Sequence, residues 1–318
     1  MGKKQFLGLI LMLISGASFA FATIIARLIN TTTTITAMTI AVSRFLIAAP
    51  LFWLLFPKSP FRIAQTKVRW QFILLGVIFS AASFTSNLAL DRISPSIYTI
   101  ILFTFPSLIV IYSLLAKKAI PRLTPLCLPL SILGLILAVF PFKGGIKVDT
   151  MGVILTLVNS VALAGYYIYS AHLFSKQPSR MPGSSWVFLG AFFVSLIALP
   201  FANFHLPSDA REWLLLLAYG SLATIIPIVA ANYGIHFLGA AQASMTNVIQ
   251  PVLTVALSML IFSEVMHPIQ FLGAFLVILS VVLLQIRPKT VTPDAQPPLE
   301  DGDTSNAIPG EKEKEDLL

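Results

Sequence analysis

A chain of 318 residues that is 57% hydrophobic and only 11% charged is unlike a soluble domain, where about 25% of residues carry charge. Its formal net charge of +8 raises the question of nucleic acid, but the basic residues stand in short segments between apolar runs and form no basic face with interleaved aromatics, so no nucleic-acid partner is expected. The single cysteine, Cys127, excludes an intrachain disulfide; it lies in an apolar run with no metal-ligand spacing and reads as a small core residue.

An apolar run of about 18 or more residues crosses a bilayer as a helix. Ten candidates follow one another, at 6–29, 36–56, 70–90, 94–116, 123–141, 151–174, 186–201, 212–237, 241–262 and 269–286. The first resembles a secretory signal, with Lys3 and Lys4 ahead of it and Ala20-Phe21-Ala22 like a cleavage site. Its apolar stretch continues to Ile29, however, and residues 8–22 match 152–166 in apolar pattern, so it is expected to stay as a helix.

Lys and Arg in the loops set the orientation. With the amino terminus inside, the inner segments hold Lys3, Lys4, Lys58, Arg62, Lys67, Arg69, Lys117, Lys118, Arg122, Lys176, Arg180, Arg287 and Lys289, and the outer loops hold Arg92, Lys143, Lys147 and Arg211. Thirteen against four places both termini in the cytoplasm and the chain in the cytoplasmic membrane as a multi-pass protein.

The chain also repeats itself. Asn87 and Asn232, and Pro106 and Pro251, are each 145 positions apart, and each pair sits in an asparagine, short turn, apolar helix and proline sequence. Residues 46–50 (LIAAP) match 196–200 (LIALP) at an offset of 150, the extra residues fitting in the Pro-, Ser- and Gly-rich loop 175–184. Five helices per half is an odd number, so the second half enters from the other side and the repeat is inverted. The expected fold is therefore all-α and integral to the membrane: ten transmembrane helices as two inverted five-helix repeats around a central cavity. The halves are 1–146 and 147–286, followed by a disordered, acidic, Pro-rich cytoplasmic tail at 287–318.

Polar side chains inside a bilayer cost free energy, about 2.5–3.5 kcal/mol for a central charge on insertion scales, so those that survive there are informative. Arg44 lies inside the second run with no acid in that run, and its repeat counterpart is Val194. It either binds an anionic group of a solute, or snorkels or pairs with backbone carbonyls at a helix break. Arg27, near the outer end of the first helix, reads as an interface anchor. Glu264 and His267 stand beyond helix nine, as a pair that exchanges protons with the outside or as ordinary helix-end charges. Pro106 and Pro251 each remove a mid-helix hydrogen bond, and Pro227 adds a kink in helix eight. Asn87, Tyr98, Thr99, Asn232, Ser244, Asn247 and Gln250 then line a midplane cavity or bond helix to helix. On helix six, Asn159 is too deep for the interface, and Tyr166 and Tyr167 are either interface residues or gate or stacking groups. Ser15, Gly16 and Ser18 on helix one are small residues that let backbones approach. Nucleophile elbows, paired intramembrane carboxylates, metal-binding HExxH and phosphate loops are all missing from the sequence, so no cofactor, metal or enzyme activity is expected.

From Phe6 to Ile286 the pattern resembles the EamA family of the drug/metabolite transporter superfamily. The resemblance rests on the small-residue first helix (SGASFAFATIIARL), the arginine of AVSRFLIAAP, the two hairpins that end in proline, and Glu264 followed by Gln270 and Gly273. It departs at Ala119, which stands where Glu264 stands in the other half, and at Ser280, which replaces a glycine. The resemblance implies two inverted five-helix repeats, a cavity among helices one, three, four, six, eight and nine, and export of small metabolites such as amino acids by alternating access. The partners are then a small-molecule solute and the lipid bilayer, with the oligomeric state open. Two alternatives stay open: a carrier for uptake or exchange of a phosphorylated or nucleotide-derived metabolite, and a non-transporting membrane scaffold or sensor.

Overall fold

The computed structural model describes residues 3–57, 65–116, 124–139, 148–175, 181–202, 204 and 206–284. The expected tail, and most of the loop charges that set the orientation (Lys58, Arg62, Lys117, Lys118, Arg122, Lys143, Lys147, Lys176, Arg180, Arg287 and Lys289), lie outside the described residues.

Helices stand at each of the ten apolar runs: α1 (Lys3–Thr32), α2 (Ala37–Leu55), α3 (Thr66–Arg92), α4 (Pro95–Leu102), α5 (Phe105–Leu115), α6 (Thr124–Val139), α7 (Thr150–Ser175), α8 (Met181–Ala198), α9 (Ala210–Gly220), α10 (Leu222–Thr246), α11 (Ile249–Phe262) and α12 (Pro268–Leu284). Among the described residues, eight helical stretches are long and apolar enough to cross a membrane, with α4–α5 counted as one and most of α9–α10 as one; α6 and α12 contain shorter apolar segments. The starts are chemically marked. The Thr36 hydroxyl accepts from Thr39 N ahead of α2, Ser94 from Ile97 N ahead of α4, and Asp209 from Glu212 N ahead of α9. Helix α8 begins at Met181, five residues before the expected start at Trp186, because Pro182 falls in its first turn, where a missing N–H breaks no helical bond.

Three of the expected continuous helices are broken. Run 94–116 divides at Phe103–Thr104, and run 241–262 divides at Asn247–Val248. Pro106 and Pro251 are therefore first-turn residues of α5 and α11, not mid-helix kinks. A proline ring clashes with the carbonyl four residues back and cannot donate to it. Those positions are Leu102 and Asn247, where the preceding helices stop. The freed Leu102 carbonyl accepts from Ser160 Oγ on α7 at 3.2 Å. The third break, at Ser221 between α9 and α10, follows Gly220, a Gly-Ser pair of the kind at which helices bend. Pro227 stays inside α10, and its carbonyl accepts from Ser15 Oγ of α1 at 2.9 Å. Helix α10 bends again at Gly239, where φ is 78°.

Burial differs from that of a soluble protein. Leu115 and Leu260 are 80% and 79% exposed, whereas Ser15, Ser80, Asn87, Thr99, Asn232 and Ser244 are wholly buried. An apolar surface over an interior that holds the polar side chains within an apolar core is the arrangement that hydrocarbon favours as the solvent. Inside, α1 packs on α10 and α11, α3 on α7 and α8, and α6 chiefly on α12. The α3–α8 crossing is backbone on backbone. A Cβ on Gly76 would lie 2.1 Å from the Val187 carbonyl, and one on Gly190 2.2 Å from the Ile73 carbonyl.

Candidate functional site

Between α1, α2, α3, α4, α7, α9 and the α10–α11 break lies a half-open cavity of about 60 Å³. It occupies the half of the bundle nearer the α3 carboxyl end. Phe19, Phe79, Leu90, Leu102 and Leu163 form its apolar wall. Arg44, Tyr98, Asn159, Asn247 and Gln250, all expected from the sequence, face it.

Arg44 is 5% exposed. Its position in the interior follows from α2, whose face from Thr39 to Phe52 is buried. The guanidinium does not snorkel and does not reach backbone carbonyls. Nε donates to Thr224 Oγ1 at 3.1 Å, and Nη1 donates to Ser83 Oγ at 3.0 Å and to Tyr219 Oη at 3.3 Å. The rings of Tyr219, Phe45 and Phe79 lie 5.0, 5.6 and 5.8 Å from its carbon centre. Nη2 has no protein hydrogen bond, and no carboxylate among the described residues pairs with Arg44. A buried cation held only by neutral hydroxyls and aromatic faces is electrostatically incomplete.

A second layer fixes this cluster. Tyr219 Oη donates to Asn87 Oδ1 at 3.2 Å, Asn87 Nδ2 donates to the Ser83 carbonyl at 2.8 Å, and Thr224 Oγ1 donates to the Tyr219 carbonyl at 2.6 Å. Asn87 thus supports the site from behind the wall. Across the cavity, Asn159 Nδ2 donates to Tyr98 Oη, which donates to Ser86 Oγ, both at 2.8 Å. At the helix break, Asn247 Nδ2 donates to Gln250 Oε1 at 3.2 Å, which leaves Asn247 Oδ1 buried with no partner. That oxygen lies 2.5 Å from where a Cβ on Gly16 would stand, so the small residue on α1 is what admits it. The Tyr167 hydroxyl, also on the cavity wall, is likewise buried and unpartnered.

The repeat partner of Asn87 does not join this site. Asn232 Oδ1 accepts from Tyr166 Oη, and its Nδ2 donates to Ser184 Oγ at 3.0 Å, away from the cavity wall. Tyr166 packs at a tilt against Phe79, ring centroids 4.9 Å apart, at the start of an aromatic block that continues through Phe72–Phe174 and Phe52–Phe188 toward the α3 amino end. Thr99 is buried with no partner for its hydroxyl, and Ser244 is buried. Neither is on the cavity wall. Arg27 donates to the carbonyls of Leu90 and Asp91 and closes the end of α3. Beyond α11, the backbone turns left-handed at Ser263, Glu264 Oε2 is buried without a hydrogen bond, and His267 Nδ1 accepts from Ile269 N. Sequence reasoning missed Tyr219, Ser83 and Thr224. The polar run Tyr219-Gly220-Ser221 inside an otherwise apolar segment was the available signal.

An all-helical bundle with an apolar surface and a polar, cation-bearing cavity defines a membrane protein that handles small solutes. The description of a family, the EamA-like transporter family, matches residues 6–140 and 150–286. The chain belongs to the EamA-like transporter family. It is similar to an uncharacterized transporter of Synechocystis, 24% identical over 223 residues that cover 68% of this chain and 67% of the relative. It is also similar to the uncharacterized transporter YcbK of Bacillus subtilis, 25% identical over 245 residues, 72% of this chain and 77% of the relative. An uncharacterized transporter of Archaeoglobus fulgidus is 23% identical over 214 residues, 66% and 75% of the two chains. A solved crystal structure shares the fold with a TM-score of 0.63 at 16% identity, covering 90% of this chain and 99% of that one.

Proposed function

We propose that this transporter is a secondary carrier that moves small organic solutes bearing an anionic group out of the cell by alternating access, with Arg44 as the group that meets the anion. The observation that carries the reading is the buried, acid-free guanidinium at the wall of a half-open cavity. A charge in this setting costs several kcal/mol (about 2.5–3.5 on insertion scales) and marks the solute path in membrane proteins.

In this proposal ten helices span the cytoplasmic membrane as two inverted five-helix repeats, 1–146 and 147–286, with both termini in the cytoplasm. The excess of inner lysines and arginines supports that orientation. The cavity then faces the outer half of the bilayer, and the aromatic block lies on the cytoplasmic side. Glu264 is the proposed proton-exchanging group, supported by its buried, unpartnered Oε2. Amino acids and related carboxylates are the solutes that the family resemblance suggests.

The test is flux from proteoliposomes loaded with a mixed pool of small carboxylates, amino acids and phosphate esters, read by mass spectrometry. Faster loss of carboxylates than from protein-free vesicles, abolished by Arg44→Ala, supports the reading. Flux that is unchanged in Arg44→Ala would sink it.

A further inference from the structure

The charges around the cavity specify more than an anion. We infer that the site is built for a net monoanion: a monocarboxylate on an apolar or aromatic body, in preference to zwitterions and phosphate dianions. The inference rests on the proposed role of Arg44 as the anion ligand.

The first step is a charge count. Among the described residues that face the cavity, Arg44 is a cation and there is no aspartate, glutamate, lysine or histidine. The cavity therefore carries one positive charge. Its hydrogen-bond partners Thr224, Ser83 and Tyr219 are neutral. Three ring faces soften that charge without cancelling it. A solute with one carboxylate brings the sum to zero. A dianion would leave one negative charge in a low-dielectric space with no second cation to meet it, which is the costly case.

The second step concerns an ammonium group, which has three N–H donors and a full charge to place. Against that the cavity wall offers no carboxylate. Phe19, Phe79 and Leu163 surround the rest of the solute with apolar surface. The chemistry is that of a monocarboxylate with a hydrophobic body and no ammonium group.

Four probes with one phenyl body separate the charge states: phenyllactate (−1), phenylalanine (zwitterion), phenethyl phosphate (mainly −2) and phenethylamine (+1). Binding to the full chain in lipid nanodiscs is measured by titration calorimetry at pH 7.5. The expected result is that phenyllactate binds at least tenfold more tightly than each of the other three. In Asn247→Asp, which adds a carboxylate to the wall, the phenyllactate-to-phenylalanine ratio is expected to fall at least tenfold. Equal or tighter binding of phenylalanine or the phosphate to the wild type overturns the inference, whether or not the variant folds. If that binding is still lost in Arg44→Met, the anion site stands and only the monoanion inference falls. If no probe shows binding that depends on Arg44, both fall.

Discussion

Replacing Arg44 by methionine removes the guanidinium while keeping an unbranched side chain of similar reach. Cutting one partner of a buried, hydrogen-bonded charge pair costs about 2–5 kcal/mol of binding. In this site the lower part of that range applies, because Nε and Nη1 are already occupied by Thr224, Ser83 and Tyr219 and only the Nη2 edge is left for a solute. A loss of about 2–3 kcal/mol corresponds to roughly a 30- to 160-fold rise in Kd. Stability should behave differently. Tyr219 Oη still donates to Asn87, and Thr224 Oγ1 still donates to the Tyr219 carbonyl. Exchanging a buried charge for an apolar group is often neutral or stabilising. The expectation is therefore an unchanged or higher Tm together with the weakened Kd for phenyllactate, read by calorimetry and thermal unfolding on the same nanodisc preparation. Arg44→Lys keeps the charge without the planar fork and should fall between the two. A Kd within threefold of wild type in a folded Arg44→Met protein would refute the anion-ligand reasoning.

Tyr219→Phe leaves Asn87 Oδ1 buried without its donor, and a drop in unfolding free energy of about 1–3 kcal/mol is expected; an unchanged Tm in detergent would show that Asn87 finds another partner. Gly76→Val places carbon against the Val187 carbonyl and should separate α3 from α8, at a cost of about 1–3 kcal/mol or more. Native Tm and monodispersity in that variant would contradict the close crossing. Glu264→Gln should flatten the dependence of flux on an imposed pH gradient, and an unaltered dependence removes Glu264 as the proton-exchanging group. Ser160→Ala strips the Leu102 carbonyl of its donor and should lower stability by about 1 kcal/mol, with hydrogen exchange at the α4–α5 break as the local readout.

What could be read from the sequence follows from the solvent. A bilayer forces long apolar helices and makes interior polar groups conspicuous, so the ten runs and several polar cavity residues stood out. Arg44, Tyr98, Asn159, Asn247 and Gln250 were found because hydrocarbon tolerates such side chains only where something answers them. The partners were harder to find. Tyr219 and Thr224 meet Arg44 across 175 and 180 residues of chain, and no local pattern encodes that meeting. The helix breaks were half legible. Pro106 and Pro251 announced a disturbance, but whether a helix bends or stops depends on a neighbour able to take the freed carbonyl, as Ser160 does. The repeat misled at Asn232. Its match to Asn87 is real in sequence, yet Asn232 bonds Tyr166 and Ser184, whereas Asn87 backs the Arg44 cluster through Tyr219.

The long reach of Arg44 has a consequence for biogenesis. When α2 enters the bilayer, its arginine has neither Tyr219 nor Thr224 to bond, since both are still to be synthesised. At about 5–20 residues per second, the 175 residues to Tyr219 take roughly 9–35 s to make. Ser83 on α3 is translated much sooner, 39 residues on, and is the first hydroxyl to reach the guanidinium. Until α9 and α10 arrive, the half-made protein carries a poorly compensated cation in the membrane. Arg44 thus ties completion of the second half to the settling of the first, and a chain stalled before Tyr219 presents a charged helix that membrane quality control can recognise.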